Sequence, residues 1–121
     1  MAETVLVVDY EANIRRLVVG LLQGAGYEVF DVDSAEGALA LIRSRKVNLL
    51  LCNAVMPEMS GVELALLCQE LRPEMKVLLT TGHLREDSMP APANARLLEQ
   101  PFRPDVLLSE IRRLLGPGRT E

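Results

Sequence analysis

The chain has 121 residues, enough for one domain that buries roughly two-thirds of its unfolded surface. Hydrophobic residues make up 49% and aromatic residues 3%, so we expect an aliphatic core. The net charge of −4 argues against binding to nucleic acid or to an anionic membrane. No apolar run approaches the ~20 residues of a membrane span, and the first residues do not resemble a signal peptide, which predicts a cytoplasmic protein.

The first half of the chain alternates apolar strands with amphipathic helices. Thr4–Val8 is a short, largely β-branched run that ends at Asp9, as in a strand buried on both faces. Apolar residues at helical spacing then predict a first helix: Ile14, Leu17, Val18, Leu21 and Leu22. Tyr27–Val32 alternates and is predicted as the second strand. Ser34 is the expected N-cap of a second helix, and Val47–Asn53 is the third strand.

The second half continues this pattern with one irregular segment. Ser60 is the expected start of a third helix with these core positions: Leu64, Leu67, Cys68 and Leu71. Met75–Thr81 is the fourth strand. Two prolines within residues 84–95 forbid a continuous helix, so the fourth helix is expected to be short or irregular. Arg96–Gln100 is a brief fifth strand, and Pro104 suits the first turn of a last helix.

Strands that alternate with helices in this way predict an α/β fold, in which a parallel sheet carries helices on both faces. Ligands in such sheets bind at the carboxyl ends of the strands. Polar residues lie at four of these ends: Asp9, Asn53, Thr81 and Gln100. We therefore expect these side chains to meet at one edge. The domain is predicted to span residues 1–116, with a disordered tail at 117–121.

The sequence shows no pattern typical of an enzyme active site. Cys52 and Cys68 lack the spacing of a metal or redox site, and we expect both to be buried, reduced thiols. His83 is the only histidine, and it is interpreted as an exposed loop residue because no nucleophile is visibly paired with it. We therefore expect that the chain is not an enzyme.

Three segments lie in the order and at the spacing of a known family: Val5–Glu11, Asn53–Pro57 with Gly61, and Gln100–Phe102. They resemble the receiver domains of two-component signalling, which are CheY-like response-regulator modules. The resemblance extends to about Leu115 and implies a three-layer, doubly wound (βα)5 flavodoxin-like fold with a five-stranded parallel sheet. The pair Thr81–Gly82 is most similar to receivers attached to hybrid histidine kinases.

The resemblance also implies where the chemistry of this family would lie. The aspartate that receives a phosphoryl group from a histidine kinase is Asn53 here, and an amide is too poor a nucleophile to form an acyl phosphate. Of the two acidic residues that help to hold Mg²⁺ in the family, Asp9 matches the first and Tyr10 replaces the second. Glu11 could replace the missing second acidic residue only as a weak substitute. We expect no cofactor, with Mg²⁺ binding weak or absent and limited to Asp9.

The remaining family positions are altered as well. Thr81 matches the hydroxyl residue that contacts the phosphoryl group, but Gln100 replaces the lysine that contacts the same oxygens. Leu97 replaces the aromatic switch residue. A lysine kept beside neutralised partners would be a costly, partly buried charge, which Gln100 avoids. These joint departures favour an inherited loss of phosphotransfer over an engineered change at Asn53.

The sequence therefore predicts a pseudo-receiver: a phosphorelay module that regulates a partner through protein–protein contacts. The resemblance implies a histidine kinase, an output domain or a second copy of the chain as that partner. One alternative is a small-ligand sensor that uses the emptied acidic pocket, with Tyr10 as a wall. Another is a receiver that is phosphorylated at a non-standard residue such as Glu11.

Overall fold

A central parallel sheet organises the structure, a computed structural model that describes residues 2–82 and 95–116. Its strands are β1 (Thr4–Val8), β2 (Glu28–Val32), β3 (Leu49–Asn53), β4 (Lys76–Thr81) and β5 (Ala95–Glu99). They lie in the order β2-β1-β3-β4-β5, and all pairs are parallel. The described helices are α1 (Ala12–Gly24), α2 (Ala35–Ser44), α3 (Gly61–Leu71) and α4 (Pro104–Leu115). The predicted doubly wound fold is confirmed.

Strand boundaries differ slightly from those predicted. β3 begins later than predicted, after Asn48, whose Oδ1 accepts the backbone N–H of Thr4 at 2.8 Å. β5 begins and ends one residue earlier than predicted, so Gln100 follows the strand. Apart from Ala95, the predicted irregular fourth helix lies outside the described residues, as do His83 and the predicted tail at 117–121.

Two apolar layers hold the helices on opposite faces of the sheet. Leu50 and Cys52 of β3 belong to the cluster that contains the buried side chains of α2 and α3. Leu49 and Leu51 belong to the other cluster, which contains those of α1 and α4. Because successive side chains of a strand point to opposite faces, one apolar strand supplies both layers. None of the helices in residues 2–82 and 95–116 is both long and apolar enough to span a bilayer.

Three leucines that the helical pattern predicts as core residues are exposed instead: Leu17 of α1, and Leu67 and Leu71 of α3. In α1 the buried side is narrower than predicted and consists of Val18 and Leu22. In α3 apolar residues surround much of the helix, so their spacing does not determine which side faces the sheet.

The predicted helix starts are confirmed. Ser60 accepts the backbone N–H of Glu63 at 3.0 Å, and the Glu63 carboxylate accepts the N–H of Ser60 at 3.3 Å, which completes a capping box. Ser34 accepts the N–H of Gly37 at 3.1 Å, but Gly37 has no side chain with which to return the bond. Pro104 occupies the first position of α4.

Arg72 connects the end of α3 to the end of α2. Its Nε donates to the carbonyl of Ile42 at 3.1 Å, and its Nη2 donates to the carbonyl of Arg45 at 3.0 Å. The last carbonyls of a helix have no partner within the helix, so this guanidinium serves as a distant C-cap for α2. The sequence pattern did not reveal this contact.

We expect Arg72→Met to lower the free energy of unfolding by about 2 kcal/mol, because both charge-assisted bonds to the carbonyls are lost while the apolar stem is kept. Urea denaturation followed by circular dichroism measures this loss. Arg16→Met, at an exposed position of α1, is the matched control and should change stability by less than about 0.5 kcal/mol. Equal losses in the two variants would contradict the capping role.

Candidate functional site

The carboxyl ends of the strands bring the predicted polar positions to one edge of the sheet. The N–H of Ala54, which follows β3, donates to the carbonyl of Thr80 at 2.7 Å. The N–H of Gln100, which follows β5, donates to the carbonyl of Thr81 at 2.7 Å. Polar residues from four strand ends line one small cavity here: Asp9, Asn53, Thr80 and Gln100. The described lining includes three of the four predicted positions; Thr81 is not among these lining residues, and Thr80, which the sequence did not indicate, is.

Asn53 uses its side chain to hold the loop that follows β3. Its Oδ1 accepts the backbone N–H of Val55 at 3.0 Å, the local bond by which Asn stabilises a turn. The backbone carbonyl of Asn53 accepts the thiol of Cys52 at 3.3 Å. An amide in this position acts as a neutral hydrogen-bonding group and does not supply the anionic oxygen that a nucleophile needs.

Asp9 is 5% exposed and is held by its own loop. Its Oδ1 accepts the backbone N–H of Glu11 at 3.0 Å, so the carboxylate has a structural role in this loop. Arg15 of α1 donates from Nη1 to the backbone carbonyl of Asp9 at 2.8 Å and from Nε to Asp31 at 2.9 Å. Arg15 thus fixes a cation beside the first strand end, which the sequence pattern did not indicate.

Tyr10 and Glu11 lie outside the cavity. Tyr10 is 46% exposed, and Glu11 is exposed just before the first residue of α1. Among the described residues, neither Tyr10 nor Glu11 lines the cavity formed by Asp9, Asn53, Thr80 and Gln100. The cavity has a volume of about 10 Å³, which is room for about one water molecule. Tyr10 is not among the described residues that line this cavity, and its predicted role as a wall of a ligand pocket stays a prediction.

The other predicted positions lie on β4, on β5 and directly after β5. Thr81 is buried at the end of β4, and its backbone carbonyl is bonded to Gln100. Gln100 is half-buried, and its peptide bond to Pro101 is cis. Leu97 is exposed on β5. The structure thus places Thr81 and Gln100 together and leaves Leu97 on the surface.

The donor set does not fit an ordinary Mg²⁺ site. Mg²⁺ demands an octahedral shell of oxygen ligands and is usually held by one or two carboxylates together with water and phosphate. Here Asp9 offers a carboxylate with one oxygen already bonded to Glu11, and the side-chain oxygen of Asn53 is bonded to Val55. Within residues 2–82 and 95–116, no group of three His, Cys, Asp or Glu residues is arranged to hold a metal ion.

Both cysteines are buried, as predicted, and neither is in a disulfide. Burial is the main cause that raises the pKa of Cys52 far above its usual range, and Cys68 and Asp9 contribute further. Burial also raises the pKa of Cys68 to about 11. Since the thiolate is the reactive form, neither thiol supplies a nucleophile next to Asn53 at neutral pH.

Gly61 allows the start of α3 to lie directly on the end of β3. Its N–H donates to the carbonyl of Ala54 at 2.8 Å. A Cβ atom at this position would overlap the carbonyl oxygen of Asn53 and lie 2.8 Å from the Cα of Ala54. The glycine that contributed to the sequence resemblance is thus required for close backbone packing beneath the site.

Comparisons with known proteins agree with this geometry. A family model described as the response regulator receiver domain matches residues 5–112. The chain is 36% identical to the response regulator receiver protein CpdR of Brucella abortus, across 92% of this chain and 95% of CpdR. It is 32% identical to the phosphate regulon transcriptional regulatory protein PhoB of Pseudomonas aeruginosa, across 100% of this chain and 56% of PhoB. The chain thus spans nearly all of one curated relative and about half of the other.

A solved structure with the same architecture is the response regulator protein TrrA of Thermotoga maritima in complex with Mg²⁺-BeF. The two structures superpose with a TM-score of 0.85 at 31% sequence identity, covering 93% of this chain and 99% of TrrA. The resemblance to receiver domains is therefore confirmed. The closer likeness to receivers of hybrid histidine kinases stays a prediction.

Proposed function

Because the chain belongs to the response regulator receiver domain family, we propose that it is a two-component signalling module that has lost phosphotransfer and acts through protein–protein contacts. The observation that carries this proposal is Asn53 at the end of β3, where the family has its phosphoacceptor. The side-chain oxygen of Asn53 is bonded to the N–H of Val55, and an amide has no anionic oxygen to attack phosphorus.

The charge balance around Asn53 supports the same proposal. Asp9 is the one carboxylate that lines the cavity formed by the described residues, and Gln100 stands where the family has a lysine. A phosphoryl group placed here would lack the lysine that contacts its oxygens in the family. The donor set is also poor for Mg²⁺, so we expect this ion to bind weakly or not at all.

A receiver without a phosphoryl group must signal in another way. Ligands shift a protein between conformations only through a difference in affinity for them, and here the difference has to come from a bound protein. The partner is proposed to be a histidine kinase, an output domain or a second copy of the chain. Because Thr81–Gly82 is predicted to resemble receivers of hybrid kinases, a histidine kinase is the first partner to test.

The two alternatives are weaker than this proposal. A cavity of about 10 Å³ counts against a small-ligand sensor, because ligand pockets usually enclose ~300 Å³ or more. Phosphorylation at Glu11 would use an exposed side chain that is not among the described residues lining the cavity.

Intact-mass measurement after incubation with acetyl phosphate and Mg²⁺ tests the proposal. We expect the mass of the chain to stay unchanged. Addition of one phosphoryl group would refute the proposed loss of phosphotransfer. Peptide mapping would then show whether the modified residue is Glu11 or another side chain.

A further inference from the structure

Helix α3 carries an outward surface with an unusual composition. Its exposed side chains are only leucine or glutamate, and together they define the α3 outer face: Glu63, Leu66, Leu67, Glu70 and Leu71. The opposite side of the helix is already buried against the sheet and α2, through Leu64, Ala65 and Cys68. The helix is therefore apolar on two sides, and the sheet and α2 use only one of them.

The leucines of the α3 outer face are substantially open to solvent. Leu66, Leu67 and Leu71 have exposed fractions of 50%, 38% and 41%. Leu67 and Leu71 are one helical turn apart, so their side chains are neighbours on the surface. Contiguous exposed apolar side chains rimmed by polar groups mark sites of protein interaction.

The charges of this face have one sign. Glu63 and Glu70 are two helical turns apart and therefore project from the same side of α3. The cation that follows the helix, Arg72, is bonded to the carbonyls of Ile42 and Arg45, which holds its guanidinium at the end of α2. The α3 outer face thus presents apolar groups together with the negative charges of Glu70 and of Glu63, whose carboxylate also accepts the N–H of Ser60 in the capping box.

These features decide what kind of molecule fits the face. Nucleic acid and anionic membrane surfaces would be repelled by the glutamates. A two-fold dimer through this face would set the same glutamates of two copies against each other, because such an interface uses one patch twice. A protein segment with basic side chains beside an apolar stripe complements both the leucines and the charges.

We propose that the α3 outer face binds a basic amphipathic helix of a partner protein. Leucines of the partner would pack on Leu67 and Leu71, and its lysines or arginines would face Glu63 and Glu70. This inference rests on the proposed function, according to which the chain signals through a contact with another protein. It uses a surface apart from Asn53.

The test uses the full chain and a synthetic Leu/Lys amphipathic peptide of about 18 residues, long enough to form a helix. Fluorescence anisotropy of the labelled peptide is compared between the natural chain and the variant Leu67→Gln/Leu71→Gln. We expect affinity to fall by about tenfold or more in the variant, as for the central residues of an interface. Glu70→Lys should weaken binding as well, and added salt should weaken it in the natural chain.

Leu17→Gln is the matched control, because Leu17 is an exposed leucine on α1. It should leave the affinity unchanged. Equal affinities for the natural chain and the α3 variant, or no binding by the natural chain, would overturn the inference. A large loss of stability in the α3 variant would also overturn it, because it would mean that the chain itself covers these leucines.

Two further outcomes separate the competing occupants. A concentration-dependent dimer in sedimentation that Leu67→Gln/Leu71→Gln abolishes would overturn the inference in favour of a second copy. Addition of a phosphoryl group from acetyl phosphate would refute only the proposed function. If peptide binding were still lost only in the α3 variants, the proposal that the α3 outer face binds a basic amphipathic helix would stand. Failure of the two proposals is thus distinguishable.

Discussion

Phosphorylation from acetyl phosphate is expected to appear when three substitutions are combined: Tyr10→Asp, Asn53→Asp and Gln100→Lys. Asn53→Asp supplies the nucleophilic carboxylate. Tyr10→Asp adds a second acidic group for Mg²⁺, and Gln100→Lys adds the cation beside the transferred oxygens. The fold already brings Asn53 and Gln100 to one cavity, and Tyr10 directly follows Asp9, which lines the same cavity.

The rate of phosphorylation depends on how many of the three family side chains are restored. Removal of one group that stabilises the transferring oxygens typically costs about a hundred-fold or more in rate, so Asn53→Asp alone should react at least about a hundred-fold more slowly than the triple variant. Intact-mass measurement over time gives these rates. Binding of beryllium fluoride, which mimics a phosphoryl group, should follow the same order among the variants.

The double variant Tyr10→Asp/Gln100→Lys is the decisive control, because it restores the surroundings and keeps Asn53. It should remain unmodified. A phosphoryl group on this variant would show that another residue accepts it, and the central role given to Asn53 would then be wrong. Failure of the triple variant to react, with its fold intact by circular dichroism, would show that the loss lies elsewhere in the domain.

The second large effect concerns stability. Gly61→Ala should lower the free energy of unfolding by about 3 kcal/mol, since overpacking against backbone atoms forces the chain to move. The added Cβ would meet the carbonyl oxygen of Asn53 and the Cα of Ala54, which have no flexible end that can swing away. Urea denaturation gives this value.

Gly20→Ala is the matched control for that measurement. Gly20 lies in α1 with open space where its Cβ would be, and alanine favours a helix over glycine by about 0.5–1 kcal/mol. This variant should therefore be stabilised. If both glycine variants were stabilised, α3 would not press on the end of β3 as described.

The sequence predicted most of the fold because each strand and helix repeats its own apolar period. β1 and β3 are short apolar runs, and the alternation of strands with helices implies a parallel sheet. The pattern failed at Leu67 and Leu71, because a helix with apolar residues on two sides has no unique inward direction. The bonds from Arg72 to the end of α2 join residues far apart in the chain, so local spacing holds no sign of them.

The candidate site was predictable in position but not in detail. Its location follows from where Asp9, Asn53 and Gln100 fall relative to the strand ends. The exposure of Tyr10 and the bond from the Val55 N–H to Asn53 depend on backbone angles after each strand, which residue types do not determine. The cation of Arg15 reaches the first strand end from one turn into α1, so only the folded chain reveals it.

The two covered thiols also make the chain convenient to tag. Maleimide dyes and spin labels couple to accessible thiolates, and Cys52 and Cys68 are shielded by the core and stay protonated near neutral pH. A single cysteine introduced on the surface would then carry the reporter group alone, with both natural residues left in place. Distances between this domain and any associated molecule become measurable in the otherwise unaltered polypeptide.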